Sequence, residues 1–302
     1  MQNLIRWSLL VCFLLIFACG KKPEADLPEF SNVPVSETTV YRFGIHPLHN
    51  PNRLHEIFDP MMDYLEKHIP DSEFKVEASR NYAAYDEKLF SGKFHFSLPN
   101  PYQTLESLRH GYKVFGKMAD DHEFRGIILV RKDSGIEKVT DLKGKIVSYP
   151  APTALAATMM PQYYLHTNGI NVITDIQNRY VGSQESSIMN VFIGESHAGA
   201  TWPPPWRALV KERPELEKQL EIKWQTQSLP NNGLVARNDM PNELVNKVGE
   251  LLFNLHMTEE GKAILARMEL SAFEPATDET YKPVRDFLET FSKEIRKPSE
   301  KI

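Results

Sequence analysis

From Val40 onward, segments with strand periodicity alternate with segments of helical periodicity, and this order constrains the fold more than any other feature of the chain. Residues 40–45 alternate and run into Gly44-Ile45-His46-Pro47, which predicts a first strand ending in a loop. Leu54, Ile57, Phe58, Met61, Met62 and Leu65 recur at helical spacing, residues 74–78 read as a strand, and Tyr82, Tyr85, Leu89 and Phe90 mark a second helix. Residues 94–98 give a third strand that stops at Pro99-Asn100-Pro101, with a helix from about Tyr102. Parallel strands need a crossover between them, so this alternation predicts an α/β fold with a mainly parallel sheet flanked by helices.

A second block repeats the pattern. Residues 126–131 and 145–149 read as strands, separated by a turn at Asp133-Ser134-Gly135 and a short segment through Leu142. A helix over 153–165 stops at Asn168-Gly169 and is followed by a strand at 178–181. Ser183 is a candidate N-cap for a helix with Ile188, Met189, Val191 and Phe192 on its buried side, closed by Gly194. A small-residue strand at 197–201 leads into Trp202-Pro203-Pro204-Pro205-Trp206, and residues 233–236 form a last strand before helices at 241–256, 258–268 and 281–295. Two blocks with returning helices predict two lobes joined by crossings near residues 130 and 235: 40–130 plus 236–302 as one lobe, 131–235 as the other. Strand carboxyl ends and helix N-termini then converge on a ligand cleft between the lobes.

The amino terminus has one basic residue, Arg6, then an apolar run over residues 7–17, then Ala18 and Cys19. The run is too short to span a bilayer, and its order matches a secretory signal over residues 1–18. Ile16-Phe17-Ala18-Cys19 resembles the lipobox at which bacterial lipoproteins are cleaved and acylated, with Phe17 bulkier than that pattern usually has. The alternatives are an ordinary signal peptide with Cys19 near the cut, and a membrane helix. In the lipoprotein reading Cys19 carries lipid and the domain sits on the periplasmic side of a bacterial membrane or at the cell surface. Residues 19–39 then form a lipidated flexible tether. Of the two cysteines, Cys12 leaves with the signal, so no disulfide holds the fold.

Apolar residues at 41% and charged residues at 25% exclude collagen-like and largely disordered chains. With 35 Lys+Arg against 40 Asp+Glu the formal charge is −5, which provides no attraction to phosphate backbones and argues against nucleic acid as a partner. There is no Walker loop, no nucleophile elbow and no His-Glu-x-x-His, so neither catalytic residues nor a cofactor are expected. His46, His49 and His55 lack a zinc-ligand spacing, and no metal site is expected. Ser183, Ser186 and Ser187 have no base beside them and suit capping. Thr153 and Ser183 each open a helix directly after a strand, which suits an anion or holds only water. Trp202 and Trp206 form either an aromatic wall for a ligand or a stiff loop packing its own indoles.

Several segments in order resemble the phosphate, phosphite and phosphonate binding lipoproteins of ABC importers. They include Phe43-Gly44-Ile45, Asn81-Tyr82-Ala83-Ala84-Tyr85, the run from Ile128 to Ile136, Asp141-Leu142-Lys143-Gly144-Lys145, Gly182-Ser183, Ala198-Gly199-Ala200 and Glu260-Gly261-Lys262-Ala263-Ile264-Leu265. The likeness extends over residues 40–295. It implies the two-lobe type II periplasmic-binding-protein fold, capture of a small solute in a closing cleft, and delivery to an ABC permease without chemistry. A monomer is expected. The rival reading from a different class is a domain that senses a ligand for a membrane partner and transports nothing. An enzyme would need an acid–base pair, for which Glu185 with His197 is the best available and no better than chance.

The ligand positions match less well than the scaffold. The family's Ser-Thr-Ser run at the second-lobe helix start falls on Ala154-Leu155-Ala156, with Thr153 its one nearby hydroxyl. The family's Gly-Ser-His-Asp becomes Gly182-Ser183-Gln184-Glu185, its acidic residues after the Gly-Ala strand become Trp202 and Pro203, and its Phe-Gly-Pro turn becomes Pro99-Asn100-Pro101. The expected site therefore joins His46, Tyr82, Asn100 and Tyr102 of the first lobe to Tyr149, Thr153, Ser183, Gln184 and Trp202 of the second. Each lost charged hydrogen bond costs about 1.5–3 kcal/mol, so the pocket is expected to be apolar and aromatic, with specificity turned away from phosphonate.

Overall fold

The alternation is realised as two mixed sheets. The computed structural model describes residues 38–302, so the expected signal, the lipidated Cys19 and all but the end of the tether lie outside the described residues. The first sheet opens with β1 (Thr39–Ile45), followed by α1 (Pro51–His68), β2 (Ser72–Glu77), α2 (Tyr82–Phe90), β3 (Phe96–Leu98), α3 (Pro101–Leu108) and β4 (Tyr112–Met118). The chain then crosses to the second sheet. Its elements are β5 (Arg125–Arg131), β6 (Ile146–Tyr149), α4 (Met160–Thr167), β7 (Gln177–Tyr180), α5 (Gln184–Phe192), β8 (Ala198–Thr201), α6 (Pro203–Glu212), α7 (Glu215–Gln219) and β9 (Leu220–Ser228). It returns through β10 (Gly233–Arg237), α8 (Asn242–Phe253), α9 (Glu259–Arg267), β11 (Phe273–Pro275) and α10 (Lys282–Glu294).

The strand order is β11-β4-β10-β3-β1-β2 in the first sheet and β7-β6-β8-β5-β9 in the second. Within each, the strands joined by helical crossovers are parallel: β1 with β2 and β3, β6 with β7 and β8. The strands next to the crossings are antiparallel: β10 with β3 and β4, β11 with β4, and β5 with β8 and β9. The expectation of mainly parallel sheets is therefore corrected to mixed ones, because a strand that arrives from or leaves for the other sheet has no helix to turn it round. β5 belongs to the second sheet, so the first crossing falls between Met118 and Arg125, ahead of the expected position near residue 130.

Helix α1 shows how the sequence builds these layers. Asn50 caps it by accepting from the Arg53 N–H, Pro51 occupies the first turn where no N–H is needed, and Lys67 and His68 sit at its carboxyl end. Leu54, Phe58, Met61, Met62 and Leu65 are buried on one face, each worth about 1.5–3 kcal/mol of apolar transfer. Among the described residues no helix is long and apolar enough to cross a membrane.

Two local readings change. Trp202-Pro203-Pro204-Pro205-Trp206 is not a loop: Trp202 is the N-cap of α6 and the three prolines fill its first turn. Trp206 packs with Ile127, Leu129, Ile188 and Leu216 in a core of its own, and all described peptide bonds are trans. The helix expected from residue 153 begins later. Residues Leu155–Met159 form a π-type turn, with Met159 N–H bonded to Ala154 O and Met160 N–H to Leu155 O, before α4 proper.

Candidate ligand-binding site

The parallel strands end side by side. Ile45 of β1 pairs with Leu98 of β3, and Val147 and Ser148 of β6 pair with Ala198 and Gly199 of β8, so the residues that follow these strands face one another. Between them lies a small cavity of about 10 Å³, lined by His46, Tyr82, Asn100 and Phe124 from one side and by Ala154–Ala157, Gln184 and Trp202 from the other.

Its polar groups are few. His46 is fully buried and its Nδ1 donates to Leu98 O at 2.9 Å, which assigns the proton to Nδ1 and leaves Nε2 an acceptor. Burial lowers its pKa to about 4 against the raising effect of that hydrogen bond, so the ring is neutral at pH 7. Thr201 Oγ1 donates to Gln184 Oε1 at 2.8 Å, and Gln184 Nε2 donates to Tyr82 OH at 3.1 Å. This chain fixes the Gln184 amide and leaves the Tyr82 O–H free to donate. The N–H groups of Leu155, Ala156 and Ala157 make no backbone bond outside their turn and lie too early in it to reach an acceptor within it. No cation lines the cavity.

Two glycines make this geometry available. A Cβ on Gly126 of β5 would overlap Ala156 O and come within 2.7 Å of the Pro161 ring, so only glycine lets the strand pass beneath the turn. Gly182, at φ +91, turns the chain into α5, whose cap is Ser183: its Oγ accepts from Ser186 N–H at 3.0 Å.

The cleft is closed. Asn100 Nδ2 donates to Thr153 O at 3.0 Å while Asn100 Oδ1 caps α3 by accepting from Gln103 N–H. Thr153 Oγ1 donates to Asp86 Oδ2 at 3.3 Å, and Gln103 Nε2 holds the other carboxylate oxygen. At the rim Asn50 donates to Glu185, and Arg53 pairs with Glu212. Arg296, just past α10, reaches across to Gln162 Oε1 and Pro152 O, and donates to the carbonyls of Lys297, Pro298 and Glu300.

Of the expected residues, His46, Tyr82, Asn100, Gln184 and Trp202 line the cavity. Tyr102 lies instead against an open groove beside α10, with Glu106 and Arg285. Tyr149 is fully buried beside Tyr180 at a ring distance of 6.0 Å, its hydroxyl without a partner. Thr153 uses its side chain between the lobes, not as a helix cap, and the Ser183 hydroxyl is spent on Ser186. Glu185 and His197 do not meet: Glu185 takes Asn50, and His197 Nδ1 accepts from Ile146 N–H. His55 bonds Asp59 on the surface, and among the described residues no three His, Cys, Asp or Glu side chains are grouped to hold a metal. Phe124, Asp86 and Arg296 were not legible as site residues; a lone Phe, Asp or Arg carries no local pattern.

Comparison with known proteins agrees with this architecture. Residues 43–281 match the family model described as "ABC transporter, phosphonate, periplasmic substrate-binding protein". The phosphonates-binding periplasmic protein of Escherichia coli (strain K12) is 22% identical over 253 residues, covering 80% of this chain and 74% of that protein. Among solved structures, a binding protein component of an ABC phosphonate transporter from Pseudomonas aeruginosa superposes with a TM-score of 0.78 at 20% identity, covering 84% of this chain and 87% of the other. PhnD1 from Prochlorococcus marinus, in complex with methylphosphonate, gives 0.77 at 20% identity, covering 85% and 99%. The chain has the two-sheet type II binding-protein fold and belongs to the periplasmic substrate-binding proteins of the ABC phosphonate transporter family.

Proposed function

We propose that this protein is a lipid-anchored receptor that captures a small, singly charged oxyanion in the closed cleft and presents it to an ABC permease, with specificity shifted from that of a phosphonate-binding relative. One observation carries this reading: the cavity offers backbone N–H groups at Leu155–Ala157 and the Tyr82 hydroxyl, but no cation and no side-chain hydroxyl from the turn itself. Neutral dipoles hold one negative charge at modest desolvation cost and hold two poorly. The neutral His46 adds an acceptor, which favours a head group carrying its own proton or none of its second charge. Trp202, Phe124 and Leu155 surround the remainder of the solute with apolar surface.

The family implies a periplasmic setting and a binding rather than an enzymatic role. The anchor at Cys19 rests on the lipobox-like Ile16-Phe17-Ala18-Cys19. A titration-calorimetry series of methylphosphonate, phosphate, methanesulfonate and acetate at pH 6 and pH 8 tests the ligand assignment. Methanesulfonate binds equally at both values, and methylphosphonate binds more tightly at pH 6. Tighter binding of the doubly charged form at pH 8 overturns the assignment. Loss of membrane retention in Cys19→Ala tests the anchor.

A further inference from the structure

Helix α9 ends in a Schellman turn: Leu270 N–H donates to Leu265 O at 3.1 Å and Glu269 N–H to Ala266 O at 3.2 Å. The residue after the cap of such a turn takes a left-handed backbone, which is why glycine usually stands there. Here it is Glu269, at φ +54. Asp71 and Asp120 also have a positive φ, but aspartate reaches that region with a short side chain that bonds locally, and glutamate lacks that help. A strained backbone at such a position persists only where its surroundings hold it.

What holds it lies across the cleft. Glu269 follows α9 in the first lobe, and its carboxylate accepts from Arg207 Nε at 2.9 Å and from Lys211 Nζ, both on α6 of the second lobe. Trp206 and Leu209 bury one side of α6 in the second-lobe core, which leaves Arg207 and Lys211, one turn apart, on the side that meets the first lobe. Arg207 also donates to Glu123 on the first crossing at 2.6 Å, and Glu212 at the end of α6 pairs with Arg53 of α1. Burial acts to raise the Glu269 pKa, but the hydrogen bonds from Lys211 and Arg207 outweigh it and lower the pKa, so the group is ionised at pH 7. A cavity of about 10 Å³ admits a solute only when the lobes part, and these ion pairs then break and re-form on closing. We infer that Glu269 is a positioning residue for ligand capture: it fastens α6 to the first lobe only when the cleft is shut, and so sets how far the solute-free protein rests open and how tightly a solute is held. This rests on capture by closure of the cleft and not on which solute is captured.

The test uses Glu269→Gly, which removes the carboxylate and gives the left-handed position its easiest residue, and Lys211→Met, which removes one exposed cation of the clasp. Glu269→Gly should melt no lower than wild type yet bind methanesulfonate about tenfold more weakly in titration calorimetry, and the gap should narrow in about 0.5 M sodium chloride. Lys211→Met should weaken binding about two- to threefold at an unchanged melting point. Without any solute, acrylamide should quench the tryptophans of Glu269→Gly more than those of wild type, because Trp202, 5% exposed in the closed cleft, is uncovered when the lobes rest apart. A Glu269→Gly protein that binds as tightly as wild type, or that loses affinity and melting temperature together as loss of a purely structural residue would, overturns the inference. If neither wild type nor the variants bind methanesulfonate, the oxyanion reading has failed, and quenching of the solute-free proteins decides the clasp by itself. Stronger quenching in Glu269→Gly supports it; equal quenching overturns it.

Discussion

Asn100 and Thr153, one from each lobe, are joined by a side-chain amide donating to a backbone carbonyl at 3.0 Å, and the same amide's oxygen caps α3. Closure and helix stability thus meet in one residue, and they separate by mutation. Asn100→Asp keeps the capping oxygen but sets a carboxylate against the Thr153 carbonyl. Its melting point should stay near that of wild type while ligand affinity falls about three- to tenfold, the worth of one net hydrogen bond. Asn100→Ala should lose the affinity and about 1 kcal/mol of stability as well. Calorimetric titration and thermal melts on both variants check the split.

Asp86 predicts a pH dependence. Burial raises its pKa to about 6 from the ordinary 3.8, outweighing the hydrogen bonds from Gln103 and Thr153. Below pH 3.8 the carboxyl is protonated in both the folded and unfolded states, and its contribution is fully present. Between 3.8 and about 6 the unfolded chain ionises while the folded protein keeps its proton, so stability falls as pH rises through that window. Asp86→Asn should therefore stabilise the protein at pH 7 by about 1–3 kcal/mol and have little effect at pH 4. Urea unfolding at the two values gives the answer, and an equal effect at both would mean that the carboxyl titrates normally.

Gln184 links Thr201 to Tyr82 at the cavity wall. Gln184→Glu keeps an acceptor for Thr201 and for the Tyr82 proton but adds a negative charge where the anion sits. Affinity for methanesulfonate should drop by about 100-fold or more, from roughly 4 kcal/mol of repulsion at 4 Å in a protein-like medium. Gln184→Leu instead orphans two buried hydroxyls and should cost stability, about 1–3 kcal/mol for each.

Gly126 and Gly199 make a matched pair. A methyl at Gly126 would meet Ala156 O, in the turn that lines the cavity, whereas one at Gly199 would meet Val191, Ser148 and Ser187 away from it. Gly126→Ala and Gly199→Ala should each lose about 1–3 kcal/mol from overpacking. Only Gly126→Ala should also weaken the ligand, by about tenfold, as measured by titration of the folded fraction.

What could be read in the sequence was what is decided locally. Ser183 caps α5 because capping depends on a side chain and the N–H three residues later, and the strand that ends at Ile45 was marked by the glycine and proline around its end. The missed strand β9 is an edge strand, Leu220–Ser228, largely out of the core, so its apolar alternation is weak. Helix α6 was hidden by Pro203-Pro204-Pro205, which reads as a breaker although the first turn of a helix tolerates proline. The site divided along the same line. His46, Tyr82, Asn100, Gln184 and Trp202 follow strand ends or open helices, whose position the strand order sets; Tyr149 and Tyr102 depended on which way a side chain turns, which only packing decides.

Among the described residues Arg296 has no acidic partner: Gln162 and the carbonyls of Pro152, Lys297, Pro298 and Glu300 take its donors. The last residues of the chain are thereby wound about one guanidinium whose outer arm grips the residue before Thr153. A load hung on the carboxyl terminus, such as a purification tag, should therefore bear on Arg296 and through it on the turn that faces the solute. A tag placed there should alter affinity without touching the cavity.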